Sequence, residues 1–192
     1  MKKIILASAS PRRRELLAQI GIPFEVLTSD ADESIGAMAP DEACRELAKR
    51  KAKAVLEHLK ACGRGDEDLL IIGADTIVVQ DKEILGKPAD PADAARMLRL
   101  LSGREHEVLT GVYVIDTAGG SFAFSEKTDV YVADLTEADI AFYLSTGEPF
   151  DKAGSYGIQG MFARYIEKID GDYNNVVGLP VGRLWRDCLS KL

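Results

Sequence analysis

Several common chemistries are excluded by what this chain has little of. Only two histidines, His58 and His106, occur in 192 residues, too few for a histidine-built zinc cage. Cys44, Cys62 and Cys188 are odd in number, far apart and in no C-x-x-C pair, so they read as reduced thiols of a cytosolic protein. Neither G-x-x-x-x-G-K-[ST] nor G-x-G-x-x-G occurs, and the standard nucleotide fingerprints are therefore missing. The apolar start is too brief for a signal peptide and no run would span a bilayer, so no membrane association is expected. Positive charge is also short: the net charge is −7, and no bulk attraction to nucleic acid is expected. There is no internal repeat and no low-complexity tail.

What remains is ordinary soluble composition, 46% hydrophobic and 29% charged. The length suits one substantial α/β core or two closely joined lobes, and a single domain over residues 1–192 is expected. Strand and helix patterns alternate, with at least one hairpin signal at Gly119-Gly120, so the sheet should be mixed. The 69–79 run reads as a central strand, 40–59 as a long helix and 162–169 as a strand. The charged, glycine-containing 62–68 stretch reads as the loop between halves.

The basic residues are few, which makes their placement informative. Ile4-Ile5-Leu6-Ala7 gives way to Ser8-Ala9-Ser10-Pro11-Arg12-Arg13-Arg14. Ser10 reads as an N-cap and Pro11 as the first helical residue. Three arginines then fall in a first turn whose dipole and free amides are already positive. A solvated basic surface explains any one of them; the cluster points to an anion site.

Asp75 stands inside an apolar run, where a carboxylate is costly unless a cation, a metal or hydrogen-bond donors meet it. Gly73 and Ala74 strip bulk beside it, permitting close approach of a ligand. Lys51 interrupts the stripe Ala43, Leu47, Val55, Leu59 on the long helix. Its stem either snorkels past the core edge or its ammonium is aimed inward at an anion. Lys87 lies in a Gly-Lys-Pro turn. Glu33, in an acidic loop, is able to complete a divalent site with Asp75, since two carboxylates plus phosphate oxygens commonly hold magnesium. Residues 151–160 combine three glycines with Tyr156 and Gln159, groups suited to a base face and edge. Ser8 and Ser10 have no histidine partner nearby, so a serine nucleophile has no support.

Ser8-Ala9-Ser10-Pro11-Arg12-Arg13, Leu47-Ala48 with Lys51-Ala52, Gly73-Ala74-Asp75-Thr76, Gly86-Lys87-Pro88, residues 151–160 and Val177-Gly178-Leu179-Pro180 together resemble the Maf (septum-formation) nucleotide pyrophosphatases. The resemblance implies a cytoplasmic hydrolase cutting nucleoside triphosphates to monophosphate and pyrophosphate with a divalent cation, Mg2+ or Mn2+. It also implies an inosine-triphosphatase-like fold: a twisted mixed sheet with flanking helices, and two lobes around a cleft. Asp75 matches the family's proposed proton acceptor; Lys51 and Lys87 are expected to act beside it against the triphosphate tail. Arg12, Thr76 and Gln159 match positions associated with substrate choice; Ser10 and Arg13 are expected to bind substrate with them, and Glu33 with Asp75 would hold the metal. Thr76 and Gln159 look like the branch acting on dTTP and UTP. A homodimer is expected by analogy.

Two points stay open at this stage. Asp75 would act either as the base or as a direct metal ligand. Strict strand alternation separates Asp75 from Thr76 unless the strand ends or bulges there. A non-catalytic nucleotide-binding regulator of division and a phosphatase or kinase-like transferase are the rival readings.

Overall fold

A computed structural model describes residues 2–28 and 30–191. Its strands are β1 (Lys3–Ala7), β2 (Phe24–Leu27), β3 (Leu69–Gln80), β4 (Glu83–Leu85), β5 (Glu105–Asp116), β6 (Gly120–Val132) and β7 (Ile166–Asp170). They form one mixed sheet in the order β2-β1-β3-β5-β6-β7, with β4 pairing to β3. The helices are α1 (Pro11–Gln19), α2 (Pro40–Ala61), α3 (Pro91–Leu101), α4 (Glu137–Ser145), α5 (Tyr173–Val177) and α6 (Val181–Asp187). The mixed sheet with flanking helices agrees with the sequence. No helix among the described residues is long and apolar enough to cross a membrane.

The chain divides into two compact units: residues 1–75, 110–126 and 178–192 form one, and residues 76–109 and 127–177 the other. Strands β3, β5 and β6 contribute residues to both. The expected division in the 62–68 loop is therefore incorrect; the first boundary falls inside β3, between Asp75 and Thr76. A continuous strand carries the sheet through that point, which no loop composition would betray.

In the first unit, β1 pairs in parallel with β2 and with β3, the latter pairing ending at Ala7 opposite Gly73. Leu69 and Ile71 of β3 pack with Ala52, Val55 and Leu59 of α2. Odd-numbered residues at the start of β3 thus face the helix, as period-two alternation requires. The stripe Ala43, Leu47, Val55 and Leu59 is buried as its spacing indicates.

The second unit centres on aromatic packing. Phe162 is wholly buried and its ring lies 5.0 Å from that of Tyr143 and 4.8 Å from that of Tyr156. α3 starts at the N-cap Asp90, whose side chain accepts from the Asp93 amide. α4 carries a full capping box between Thr136 and Asp139. The strand expected over 162–169 is only partly present. Met161–Tyr165 is a 3-10 turn and β7 begins at Ile166. Phe162, Tyr165, Ile166 and Ile169 are strand-favouring residues, but Phe162 is drawn into the core by its aromatic neighbours.

Candidate active site

Local sequence sets the first element of the site. The Ser10 hydroxyl caps α1 by accepting from the Arg13 amide at 3.4 Å, and Pro11 opens the helix with no acidic residue in the first turn. The buried Ser8 hydroxyl accepts from the Ser10 amide (3.2 Å) and from the Arg13 guanidinium (3.3 Å). Arg13 Nε donates to the Gly178 carbonyl at 2.8 Å. Burial pulls the Arg13 pKa down, Asp75 opposes that, Arg12 adds to it and Glu33 opposes it. A guanidinium nevertheless stays charged, so a fixed cation is held at the α1 N-terminus. Arg12 is half-buried on the same turn and has no hydrogen-bond or ion-pair partner among the described residues.

Strand β3 supplies the carboxylate. Leu69, Ile71, Gly73 and Asp75 share the face turned toward α2. A Cβ on Gly73 would stand 2.2 Å from the Ala48 carbonyl oxygen and 3.0 Å from Ala52 Cβ. The bare Cα therefore accommodates the helix rather than a ligand, correcting the reading from sequence. One residue pair further along, Asp75 meets Lys51, which lies on the same helical face as Ala48 and Ala52. The Lys51 ammonium is bonded to Asp75 Oδ1 and lies 2.9 Å from Glu33 Oε1. Lys51 thus points inward at anions and does not snorkel. Its partners, however, are carboxylates rather than a phosphate tail.

Glu33 comes from the loop after β2 and is more than half exposed, whereas the Asp75 and Lys51 side chains are 13% and 18% exposed. Two carboxylate oxygens from distant segments therefore converge on one cationic nitrogen. The same donor set suits a divalent cation completed by substrate oxygens. No group of three His, Cys, Asp or Glu side chains forms a ready-made cage among the described residues.

The remaining candidates belong to the second unit. β3 does not end at Asp75 but runs to Gln80, with Asp75 and Thr76 both half-buried in an otherwise buried strand. Alternation consequently turns Thr76 to the face opposite Asp75. The Lys87 turn and the 151–160 loop are joined, because the Gly154 amide donates to the Gly86 carbonyl at 3.1 Å. Gly154 also lies so close to β3 that a Cβ would stand 2.9 Å from Val78 Cγ1. Lys87 and Gln159 are both exposed. Sequence reasoning missed Ser8 and the Gly178 carbonyl as the holders of Arg13. Val177-Gly178-Leu179-Pro180 was the available signal, but a backbone acceptor leaves no side-chain signature.

The chain is 51% identical over its full length to a protein of Agathobacter rectalis named dTTP/UTP pyrophosphatase, covering 98% of that protein. It is 50% identical, over 97% of both chains, to one of the same name from Geobacillus sp.. A solved nucleoside-triphosphatase / dITP/XTP pyrophosphatase from Mycobacterium abscessus aligns at a TM-score of 0.43 and 17% identity, covering 69% of this chain and 75% of that one. The family described as Maf-like protein matches residues 3–191, and the chain belongs to it.

Proposed function

We propose that the protein hydrolyses dTTP and UTP to the nucleoside monophosphate and pyrophosphate, with a divalent cation. The observation that carries the reading is the convergence of Glu33 and Asp75 on the Lys51 ammonium, with the Arg13 cation held at the start of α1 in the same unit. The names of the relatives matched over nearly the whole chain agree with it. A water oxygen attacks the α-phosphorus, the bond from that phosphorus to the α,β-bridging oxygen breaks, and pyrophosphate leaves with the bond's electron pair. Asp75 accepts a water proton. Arg12 and Arg13 bind the phosphate oxygens and offset charge building on the leaving group, with the Ser10-capped helix start ordering them.

Lys51 takes part by orienting the Asp75 carboxylate and by pairing with a phosphate oxygen of the substrate. Glu33 and Asp75 would hold Mg2+ or Mn2+, whose chemistry is to neutralise phosphate charge. Lys87 completes the phosphate contacts and Gln159 selects the base; Thr76, on the face of β3 opposite Asp75, influences that choice indirectly through the strand it shares. Solubility in the cytoplasm and a homodimeric state belong to the same reading.

The test is direct. Purified protein is incubated with Mg2+ and a panel of triphosphates, and products are followed by phosphorus NMR. Monophosphate plus pyrophosphate from UTP and dTTP supports the proposal. Orthophosphate identifies a phosphatase, and binding without turnover identifies a regulator; either result refutes it.

A further inference from the structure

The exposed Gln159 lies in a segment whose two flanking backbone amides are each held by a side chain. The Gly157 amide donates to the Tyr143 hydroxyl at 3.1 Å. The Met161 amide donates to the Glu148 carboxylate at 2.9 and 3.2 Å. Two polar anchors therefore flank the segment: the Tyr143 hydroxyl at Gly157 and the Glu148 carboxylate at Met161, with Ile158, Gln159 and Gly160 between them. The approach is close enough that a Cβ on Gly160 would stand 2.1 Å from Glu148 Oε2.

Simple packing does not call for this device. Ile158 and Phe162 are buried and Phe162 is gripped by Tyr143 and Tyr156, so apolar contacts already fasten the segment. The two polar anchors add a fixed backbone orientation on either side of Gln159. That matters because a primary amide presents a donor and an acceptor side by side. Turned one way it accepts from uracil N3–H and donates to O4; turned over it accepts from cytosine N4–H and donates to N3. A loosely held glutamine therefore matches either base.

We propose that Tyr143 and Glu148 are positioning residues for base selection, holding the Gln159 segment so that its amide meets uracil or thymine rather than cytosine. This rests on the proposed function and on Gln159 as the base reader. The full-length protein with Mg2+ is assayed for kcat and KM with UTP and CTP, alongside amide hydrogen exchange of Gly157 and Met161. In Tyr143→Phe the ring and its packing remain. We expect faster exchange at Gly157 and a fall of about tenfold in the UTP-over-CTP ratio of kcat/KM, through a raised KM for UTP, the worth of one well-placed hydrogen bond.

Glu148→Ala should do the same with faster exchange at Met161. Glu148→Gln, whose amide oxygen still accepts from Met161, should restore most of the ratio. Loss of amide protection with an unchanged ratio overturns the proposal, as does an equal loss for both nucleotides. Gln159→Ala separates the two failures. If that variant keeps the wild-type ratio, the base-reading role of Gln159 falls and the positioning role with it. If its ratio collapses while that of Tyr143→Phe does not, only the positioning role falls.

Discussion

The Cα of Gly73 lies directly beneath the carbonyl of Ala48, so close that a Cβ would stand 2.2 Å from that oxygen. This contact sets the height of α2 above β3, and therefore the reach of Lys51 to Asp75 two residues further along the strand. Gly73→Ala forces backbone against backbone, which overpacks the interface by about 1–3 kcal/mol. It should also move Lys51 off Asp75. Gly111→Ala is the comparison, since its Cβ would meet the Cys44 carbonyl at 2.3 Å, nearer the start of the same helix. Urea denaturation should show similar losses for both variants, while kcat should fall at least tenfold further in Gly73→Ala. Equal kcat in the two would refute the link between this glycine and the ion pair.

Asp75→Asn removes the proton acceptor while keeping shape and one hydrogen-bond acceptor for Lys51. The lysine retains Glu33, so the fold should survive. Turnover of UTP should drop by at least about a thousandfold, roughly 4 kcal/mol of barrier, with nucleotide binding kept. Calorimetric titration with UTP beside steady-state kinetics checks both halves. Turnover at the wild-type rate would remove Asp75 from the chemistry.

Lys51 neutralises the two carboxylates that are proposed to hold the cation. Replacing it by methionine keeps the stem and deletes the charge. Without nucleotide, Lys51→Met should bind Mn2+ more tightly than wild type, by about tenfold for one lost like-charge competitor. It should hydrolyse UTP more slowly, because a phosphate contact is gone. Electron paramagnetic resonance of free Mn2+ gives the affinity. Weaker Mn2+ binding in the variant would show that Glu33 and Asp75 do not form the cation site.

Much of this was legible in residue patterns, and the reasons differ by residue. Lys51 announces itself by breaking an apolar stripe, and Asp75 by standing in an apolar strand; each anomaly marks the other's partner. Ser10 and Pro11 follow capping chemistry that is local and therefore readable. Gly73 was visible, but a missing side chain does not say what fills its space. The hold on Arg13 by the Gly178 carbonyl joins residues 165 positions apart through backbone, which carries no residue identity. The 3-10 turn Met161–Tyr165 was hidden because tertiary packing of Phe162 overrides a local β pattern.

His106 gives a pH dependence whose sign is fixed by burial. Its ring is 2% exposed, Nε2 lies 2.7 Å from the Tyr156 hydroxyl, and Nδ1 has no partner among the described residues. Desolvation pushes its pKa down from 6.5 to about 4, against an opposing pull from Asp129. Above pH 6.5 the imidazole is neutral in both folded and unfolded chains and contributes no slope. As pH falls from 6.5 toward 4, the unfolded chain takes up a proton that the folded one refuses, so stability falls. The loss approaches about 3 kcal/mol at the lower limit. Lowered carboxylate pKa values, such as those of Glu25 and Asp116, act in the same direction at lower pH, so a variant is needed to isolate the histidine. His106→Gln should be less stable at pH 7.5, having lost the fitted ring, but should lose less with acid. Between pH 6.5 and 4.5 its urea-derived stability should fall by about one proton's worth less per pH unit than wild type, near 1.4 kcal/mol. Parallel pH profiles for the two proteins would mean that His106 titrates normally in the fold.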